Sequence, residues 1–218
     1  SHWWGEPVLA FLACVETHQK LRGLPAETAY WVCAYANNQH DLGAEIRADP
    51  RDTSFYAAMR ACRGVLLVLD SEATPFTRVW CSFEEATAIS THWDGAEQEL
   101  LLDIATAGEW VDLRKQRHEA MLITQGLTPD EEASEAKSEG DGWYYKAQRE
   151  EKFPLALVKR ALDIDVQASQ ATQDIDRTRI LNSIAGRPAA ELDWEPARDH
   201  AAYARVNRQL RALFAVYG

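Results

Sequence analysis

The chain has 218 residues, and its 46% hydrophobic and 26% charged residues are typical of a globular protein, which excludes a wholly disordered chain. A formal net charge of -11 argues against nucleic-acid and anionic-membrane partners, because no cluster of lysine and arginine offsets the repulsion. The apolar runs are shorter than the ~20 residues that span a bilayer, and no secretory leader is recognised. We therefore expect a soluble, cytoplasmic protein.

The cysteines and histidines predict neither a disulfide nor a metal centre. Cys14, Cys33, Cys62 and Cys81 each lie alone in an apolar segment, without a C-x-x-C pair. Thiols in such surroundings are typically buried and reduced. The six histidines show no metal-ligand spacing, so we assign no metal site.

The first part of the chain predicts a helix, a strand and a long loop. Pro7 suits the start of a helix, and apolar residues recur at helical spacing up to Arg22. The predicted inner stripe of this helix is Val8, Phe11, Leu12, Val15 and Leu21. The aromatic and small apolar residues 30–35 predict a buried strand. The polar residues 37–53 predict a long loop, which in a compact domain is usually functional or mobile.

Residues 64–89 organise the rest of the prediction. The aliphatic run from Val65 to Leu69 is typical of a strand buried on both faces, and a short helix capped by Thr53 or Ser54 leads into it. A polar loop then precedes a helix that begins near Val79, whose apolar stripe is Val79, Phe83 and Ala86. Trp80 and Glu84 are four residues apart and share a second face of this helix. Ligands of open α/β sheets usually bind at this end of a strand.

The second half predicts further elements, most of them helical. The first are a strand at 99–104 and a helix at 110–125 closed by Gly126. A capping box at 128–131 follows, and then an acidic, solvated stretch through Gly142. The last are a helix from Phe153, with Leu155, Val158 and Leu162 inward, and helices at 174–185 and 196–217. Residues 164–166 fit either a continuation of the preceding helix or a short edge strand.

Three segments of the first 105 residues resemble a Toll/interleukin-1 receptor (TIR) domain. Ser1-His2 followed by Gly5-Glu6 resembles the loop after the first strand of that family. Residues 57–70 resemble its helix and third strand, in which a helix runs straight into an aliphatic run. The most specific match is Trp80-Cys81-x-x-Glu84, because family members commonly carry Trp-Cys-x-x-Glu at this helix.

The resemblance implies a fold and a division of the chain. We expect an α/β protein with a flavodoxin-like, three-layer parallel sheet and an extended helical C-terminal region. Residues 1–108 would form the TIR-like domain, whose first strand would lie upstream of Ser1. Residues 109–218 would form a mostly helical extension that packs on it.

The resemblance also implies an activity. In catalytic TIR domains, the glutamate that matches Glu84 supports cleavage of the bond between nicotinamide and ribose in NAD, which is the substrate, and no separate cofactor is expected. A carboxylate beside the ribose would stabilise an oxocarbenium-like transition state. The residues expected to contact the substrate are Ser1, His2, Trp3, Trp4, Asn37, Asn38, Trp80 and Cys81.

Each of these residues also has a simpler interpretation. A glutamate in the first turns of a helix is most often a solvated surface group favoured by the helix dipole. Trp80 also fits a core aromatic residue, Asn37-Asn38 is a turn signal, and Cys81 fits a packing residue. Two other functions therefore stay open: a self-assembling TIR-like interaction module, with residues 37–53 at its interface, and a small-nucleotide sensor of flavodoxin-like fold.

Overall fold

The computed structural model describes residues 1–37, 48–89, 100–112 and 117–214, and it shows a mixed α/β protein. The strands are β1 (Gly64–Leu69), β2 (Leu101–Asp112) and β3 (Arg117–Ile123). The α-helices are α1 (Val8–Leu21), α2 (Cys33–Ala36), α3 (Ser54–Ala61), α4 (Val79–Ala88), α5 (Pro129–Glu135), α6 (Asp141–Glu150), α7 (Leu155–Leu162), α8 (Asp174–Ile184) and α9 (Ala201–Phe214).

The sheet has the order β1-β2-β3 and is mixed. β1 pairs with β2 in parallel, from Gly64 opposite Leu101 to Leu69 opposite Thr106. β2 and β3 form an antiparallel pair. The α/β class is therefore confirmed, whereas the prediction of an all-parallel sheet is wrong. The boundary expected at residue 108 falls inside β2, so both halves of the chain contribute to one sheet.

The N-terminal residues lie along the other edge of β1. The Ser1 nitrogen donates to the Leu66 carbonyl at 2.8 Å, and the Val68 amide donates to the Ser1 carbonyl at 2.9 Å. These bonds give His2 a parallel bridge to Val68. Ser1 and His2, which the TIR resemblance assigns to the loop after a first strand, thus run beside β1.

Helices cover the sheet on both faces. Leu67 and Leu69 of β1 belong to the larger hydrophobic cluster, which includes side chains of α4, α7, α8 and α9. Val68 points to the opposite face and packs with Cys14 of α1. Because successive side chains of a strand point to opposite faces, this burial explains why the β1 sequence is a continuous aliphatic run.

Several predicted elements are confirmed. β1 and the helix from Val79 lie where the patterns place them. Thr128 and Glu131 form the predicted capping box at the start of α5. The helix at 174–184 ends before Gly186, which has a φ of +79°. Residues close together in the sequence specify each of these elements, so tertiary packing does not change them.

The predicted strand at residues 30–35 is wrong. Val32 is extended, but Cys33–Ala36 form a helical turn, and Tyr35 is 71% exposed. The aromatic content of this stretch therefore reflects an outer surface near the N-terminal residues and not a central strand.

The predicted helix at residues 110–125 is also wrong. This part of the chain contains the end of β2 and all of β3. In β3, Leu122 packs towards α1 while Met121 and Ile123 pack against the larger cluster on the opposite face. A strand between two helical layers buries side chains on both faces, so tertiary packing overrides the helix propensity of this sequence.

Two predicted helical stripes are confirmed only in part. In α1, Phe11 and Leu21 pack against the core as predicted, but Val8 and Leu12 are exposed, and the fully buried residues are Ala10, Ala13 and Cys14. Small residues on this face allow α1 to approach the sheet closely. In α7, Val158 is buried as predicted together with Leu157 and Ala161, whereas Leu155 and Leu162 are exposed.

The C-terminal elements also differ in their bounds. α9 begins at Ala201, after the predicted start at Pro196, and residues 215–218 lie outside the described residues. α7 ends at Leu162, and Ile164 leads into a 3-10 turn at Val166–Ala168, so residues 164–166 form neither a continuation of the helix nor an edge strand.

A buried ion pair anchors α1 to the sheet. The Arg22 guanidinium donates to both oxygens of Asp103 at 2.6 Å, and His18 Nε2 lies 3.2 Å from the same carboxylate. Tyr30 extends the network through a 2.7 Å hydrogen bond to His18 Nδ1. Burial alone would raise the pKa of Asp103, but the hydrogen bonds from Arg22 and His18 outweigh it and hold this pKa below its usual value.

Replacing Asp103→Asn should lower the free energy of unfolding by about 3 kcal/mol or more at pH 7, because it leaves the Arg22 cation buried without its partner. The lowered pKa of Asp103 means that the ionised carboxylate stabilises the fold above its unfolded pKa of 3.8. That contribution is lost as the pH falls through the lower folded-state pKa. Urea unfolding should therefore show a smaller difference in the free energy of unfolding between Asp103→Asn and wild type at pH 3 than at pH 7. The control, Asp193→Asn, removes an exposed partner of Arg179 and should have little effect; equal losses in both variants would contradict the role of Asp103.

Candidate functional site

The loop after β1 and the start of α4 are held by specific hydrogen bonds. The Asp70 carboxylate accepts from the Thr74 amide and the Thr74 hydroxyl, both at 2.6 Å. The Val79 amide at the start of α4 donates to the Gln170 carbonyl at 2.9 Å. The start of α4 is therefore bonded to the C-terminal half of the chain, and these bonds fix the direction in which α4 crosses the sheet.

Glu84 lies beside the N-terminal residues. One of its carboxylate oxygens is 4.0 Å from the Ser1 nitrogen, and the residue is 8% exposed. Since that nitrogen also donates to Leu66, Ser1 sits between β1 and the carboxylate. The structure thus brings together two parts of the chain that the TIR resemblance associates with one site.

Two thiols line the same region. The Trp4 indole N–H donates to Cys33 Sγ at 3.1 Å, and the Cys81 thiol lies against Ser1. Burial raises the pKa of both thiols, and for Cys81 the Glu84 and Glu85 carboxylates raise it further. Both cysteines therefore stay protonated at neutral pH and act as packing groups, not as nucleophiles.

The Trp80 ring is occupied by other aromatic side chains. It stacks on Phe55 with ring centroids 5.3 Å apart and meets Phe83 edge-on at 6.3 Å. Trp31 contacts the other side of this group through Phe55 at 5.4 Å. Trp80 is half-buried in this cluster, whereas Trp4 is 52% exposed and Trp31 also reaches the surface. Among the tryptophans of this part of the chain, Trp3, Trp4 and Trp31 each expose about a third or more of their surface, and the sequence gives no reason to choose Trp31.

His2 and Trp3 have different surroundings from Ser1. The His2 ring packs 4.9 Å from Phe11 of α1, on the opposite face of the sheet from α4. Burial lowers the pKa of His2 to about 4, so this side chain is neutral at pH 7 and offers no cation to a phosphate. Trp3 lies over Gly5, where a Cβ atom would come within 2.2 Å of the indole.

The two predicted asparagines are described only in part. Asn37 is buried, and its side-chain carbonyl accepts from the Ser54 hydroxyl at 2.8 Å. That bond ties the end of α2 to the start of α3. Asn38 lies outside the described residues.

Glu85 is a feature that the sequence does not reveal. Its side chain is fully buried, and neither carboxylate oxygen has a hydrogen-bond partner among the described residues. Burial raises the pKa of Glu85 well above its ordinary value, and the neighbouring Glu84 raises it further. The two adjacent glutamates thus have different surroundings: Glu84 is 8% exposed and lies beside Ser1, whereas Glu85 is fully enclosed and has a raised pKa.

Two surface cavities lie away from Glu84. The larger, of about 440 Å³, lies at the end of α1 around Gln19 and Gly23. The second, of about 370 Å³, lies between the loop at Glu72 and the segment after α7.

Among the described residues, no group of histidine, cysteine or acidic side chains has a geometry that could hold a metal ion. Within the same residues, no helix combines the length and the apolar character required to cross a membrane.

Comparison with known proteins leaves the family open. No protein-family model matches the chain, and neither a curated protein nor a solved structure matches it significantly. Any function must therefore be argued from the residues and their geometry.

Glu85 should make stability depend on pH. Because the folded-state pKa is raised, the folded protein holds a proton that the unfolded chain releases above about pH 4.5, so stability falls as the pH rises from there. The glutamine of Glu85→Gln has no acidic proton to lose. We therefore expect the free energy of unfolding of this variant at pH 7 to be about 1–3 kcal/mol higher than that of wild type. The difference should vanish near pH 4. Urea unfolding between pH 4 and pH 7 measures this difference, with the exposed Glu72→Gln as the control. If Glu85→Gln and wild type differed in free energy of unfolding by the same amount at every pH, Glu85 would not be a buried neutral acid.

Proposed function

We propose that the protein is a TIR-type, NAD-cleaving enzyme of flavodoxin-like fold in a cytosolic signalling, stress or immune response, with Glu84 as its catalytic carboxylate. The observation that carries this proposal is the 4.0 Å approach of Glu84 to Ser1. It joins the Trp-Cys-x-x-Glu helix to the Ser-His turn, which are the two most informative segments of the TIR resemblance.

The chemistry suits a partly exposed carboxylate. Cleavage of the bond between nicotinamide and ribose leaves positive charge on the ribose ring, which water or a hydroxyl of the same substrate then captures as a glycohydrolase or cyclase. A carboxylate at the edge of a low-dielectric region stabilises this charge more strongly than one in bulk water. Glu84 has such a position, because it is only 8% exposed and lies in the same region as the buried thiols of Cys33 and Cys81.

Aromatic side chains support binding of a planar ring. Trp4 is anchored by its indole N–H to Cys33 and still exposes half of its surface. An anchored, exposed indole offers a rigid stacking face at low entropic cost. We assign Trp4 to the nicotinamide or adenine ring, in preference to Trp80.

Nicotinamide release from NAD tests the proposal. Glu84→Gln keeps the size of the side chain but removes its charge, so we expect a fall in kcat of about 100-fold or more, with Glu84→Ala at least as impaired. The control Glu72→Gln removes an exposed carboxylate from the loop after β1 and should retain wild-type activity. Equal rates for wild type and both Glu84 variants would rule out Glu84 as the catalytic group.

A self-assembly module is the second candidate, and an exposed apolar surface favours it. The outer face of α1 presents Val8, Leu9 and Leu12 to solvent. Contiguous apolar side chains of this kind mark interaction sites more often than isolated ones do. Residues 38–47, which form most of the predicted interface loop, lie outside the described residues.

Leu9→Asp combined with Leu12→Asp should prevent self-association, because it places two charges in an interface that would otherwise bury leucine. Light scattering after gel filtration, at increasing protein concentration, would show wild type growing in mass and the double variant remaining a monomer. The control Leu155→Asp changes an equally exposed leucine on α7. A wild-type protein that stays monomeric and releases no nicotinamide would remove both candidates.

A further inference from the structure

The hairpin of α5 and α6 has an unusual distribution of side chains. Gly142 at the start of α6 is buried against α5, where a Cβ atom would come within 2.4 Å of the Glu131 carbonyl. This close approach fixes the two helices side by side. It also fixes which side chains of α6 point inward and which point to solvent.

The cations of α6 point inward. Arg149 donates to Glu131 at 2.8 Å and to the Leu122 carbonyl of β3 at 2.9 Å. Lys146 is paired with the buried Glu150. Both side chains are largely buried, so α6 contributes no exposed cation to the solvent side.

The aromatic residues of α6 point outward. Trp143, Tyr144 and Tyr145 are all exposed, and the Trp143 side chain is 55% exposed. Tyr144 and Tyr145 meet edge-on with centroids 5.7 Å apart, and Tyr144 accepts a hydrogen bond from Gln148. Three consecutive exposed aromatic residues are costly to leave in water unless a partner covers them.

The exposed charges of the α5–α6 hairpin and its flanking residues are mainly negative. Between residues 129 and 152 the exposed carboxylates are Asp130, Glu132, Glu139, Asp141 and Glu151, and the exposed cations are Lys137 and Lys152. Aromatic faces attract cations through their quadrupole, and arginine does so most often because its planar guanidinium also stacks. Exposed carboxylates on the same hairpin add charge complementarity for the same partner.

We propose that the solvent face of the α5–α6 hairpin binds an arginine-rich peptide segment of a partner protein. Arginine side chains lie over Trp143 and the neighbouring tyrosines, and the surrounding carboxylates neutralise their charge. The hairpin packs on β3, at the edge of the sheet opposite Ser1, so this binding does not depend on the Glu84 site.

The test is calorimetric titration of the full chain with a synthetic peptide of alternating arginine and glycine. A protein of net charge -11 attracts any basic peptide, so the decisive variant leaves the charge unchanged. Trp143→Ala should weaken binding about fivefold, and Trp143→Phe should restore most of it. The control Trp194→Ala removes an equally exposed indole, 56% exposed, that already carries Arg187 over its ring, and should bind as wild type does.

A second comparison separates local from overall charge. Asp130→Asn with Glu132→Gln removes two carboxylates from the hairpin, and Glu27→Gln with Glu195→Gln removes two exposed ones elsewhere. Only the first pair should weaken binding beyond about twofold and flatten its salt dependence. Unchanged thermal unfolding would show that each variant is folded. The proposal would be overturned if both pairs of substitutions weakened binding equally or if Trp143→Ala had no effect. It would also be overturned if a peptide of alternating glutamate and glycine bound as tightly as the arginine peptide.

Discussion

The burial of β1 on both faces is the constraint on which the rest of the structure depends. Leu67 and Leu69 pack on one side and Val68 on the other, so a shift of one residue would exchange the two faces and expose the core. The register of β1 in turn fixes the loop held by Asp70 and the start of α4. Glu84 meets Ser1 because both are positioned against the same strand.

The two adjacent glutamates of α4 show how a fold gives one residue type two roles. Side chains one position apart on a helix diverge by about 100°, and here that rotation separates a surface edge from the interior. Glu84 keeps 8% of its surface exposed beside Ser1, whereas Glu85 is enclosed without a hydrogen-bond partner among the described residues. Neighbouring carboxyl groups in different environments are typical of acid-base sites, which supports the assignment of chemistry to this helix.

The two edges of the sheet have different surfaces. At the β1 edge, the Trp4 indole donates to Cys33 and the Glu84 carboxylate lies beside Ser1. At the β3 edge, Arg149 and Lys146 turn inward and leave aromatic rings among carboxylates. The exposed charges between residues 129 and 152 are mainly negative, in keeping with the net charge of -11.

The sequence by itself determined the features that local interactions decide. The aliphatic run of β1, the start of α4 and the Thr128 capping box could all be predicted, because period, propensity and capping act within a few residues. Only the tertiary structure decided that residues 117–123 form a strand, that Trp80 stacks on Phe55 and that Glu85 is enclosed. Each of these depends on partners distant in the sequence, and the free energy of burial against such partners outweighs local preference.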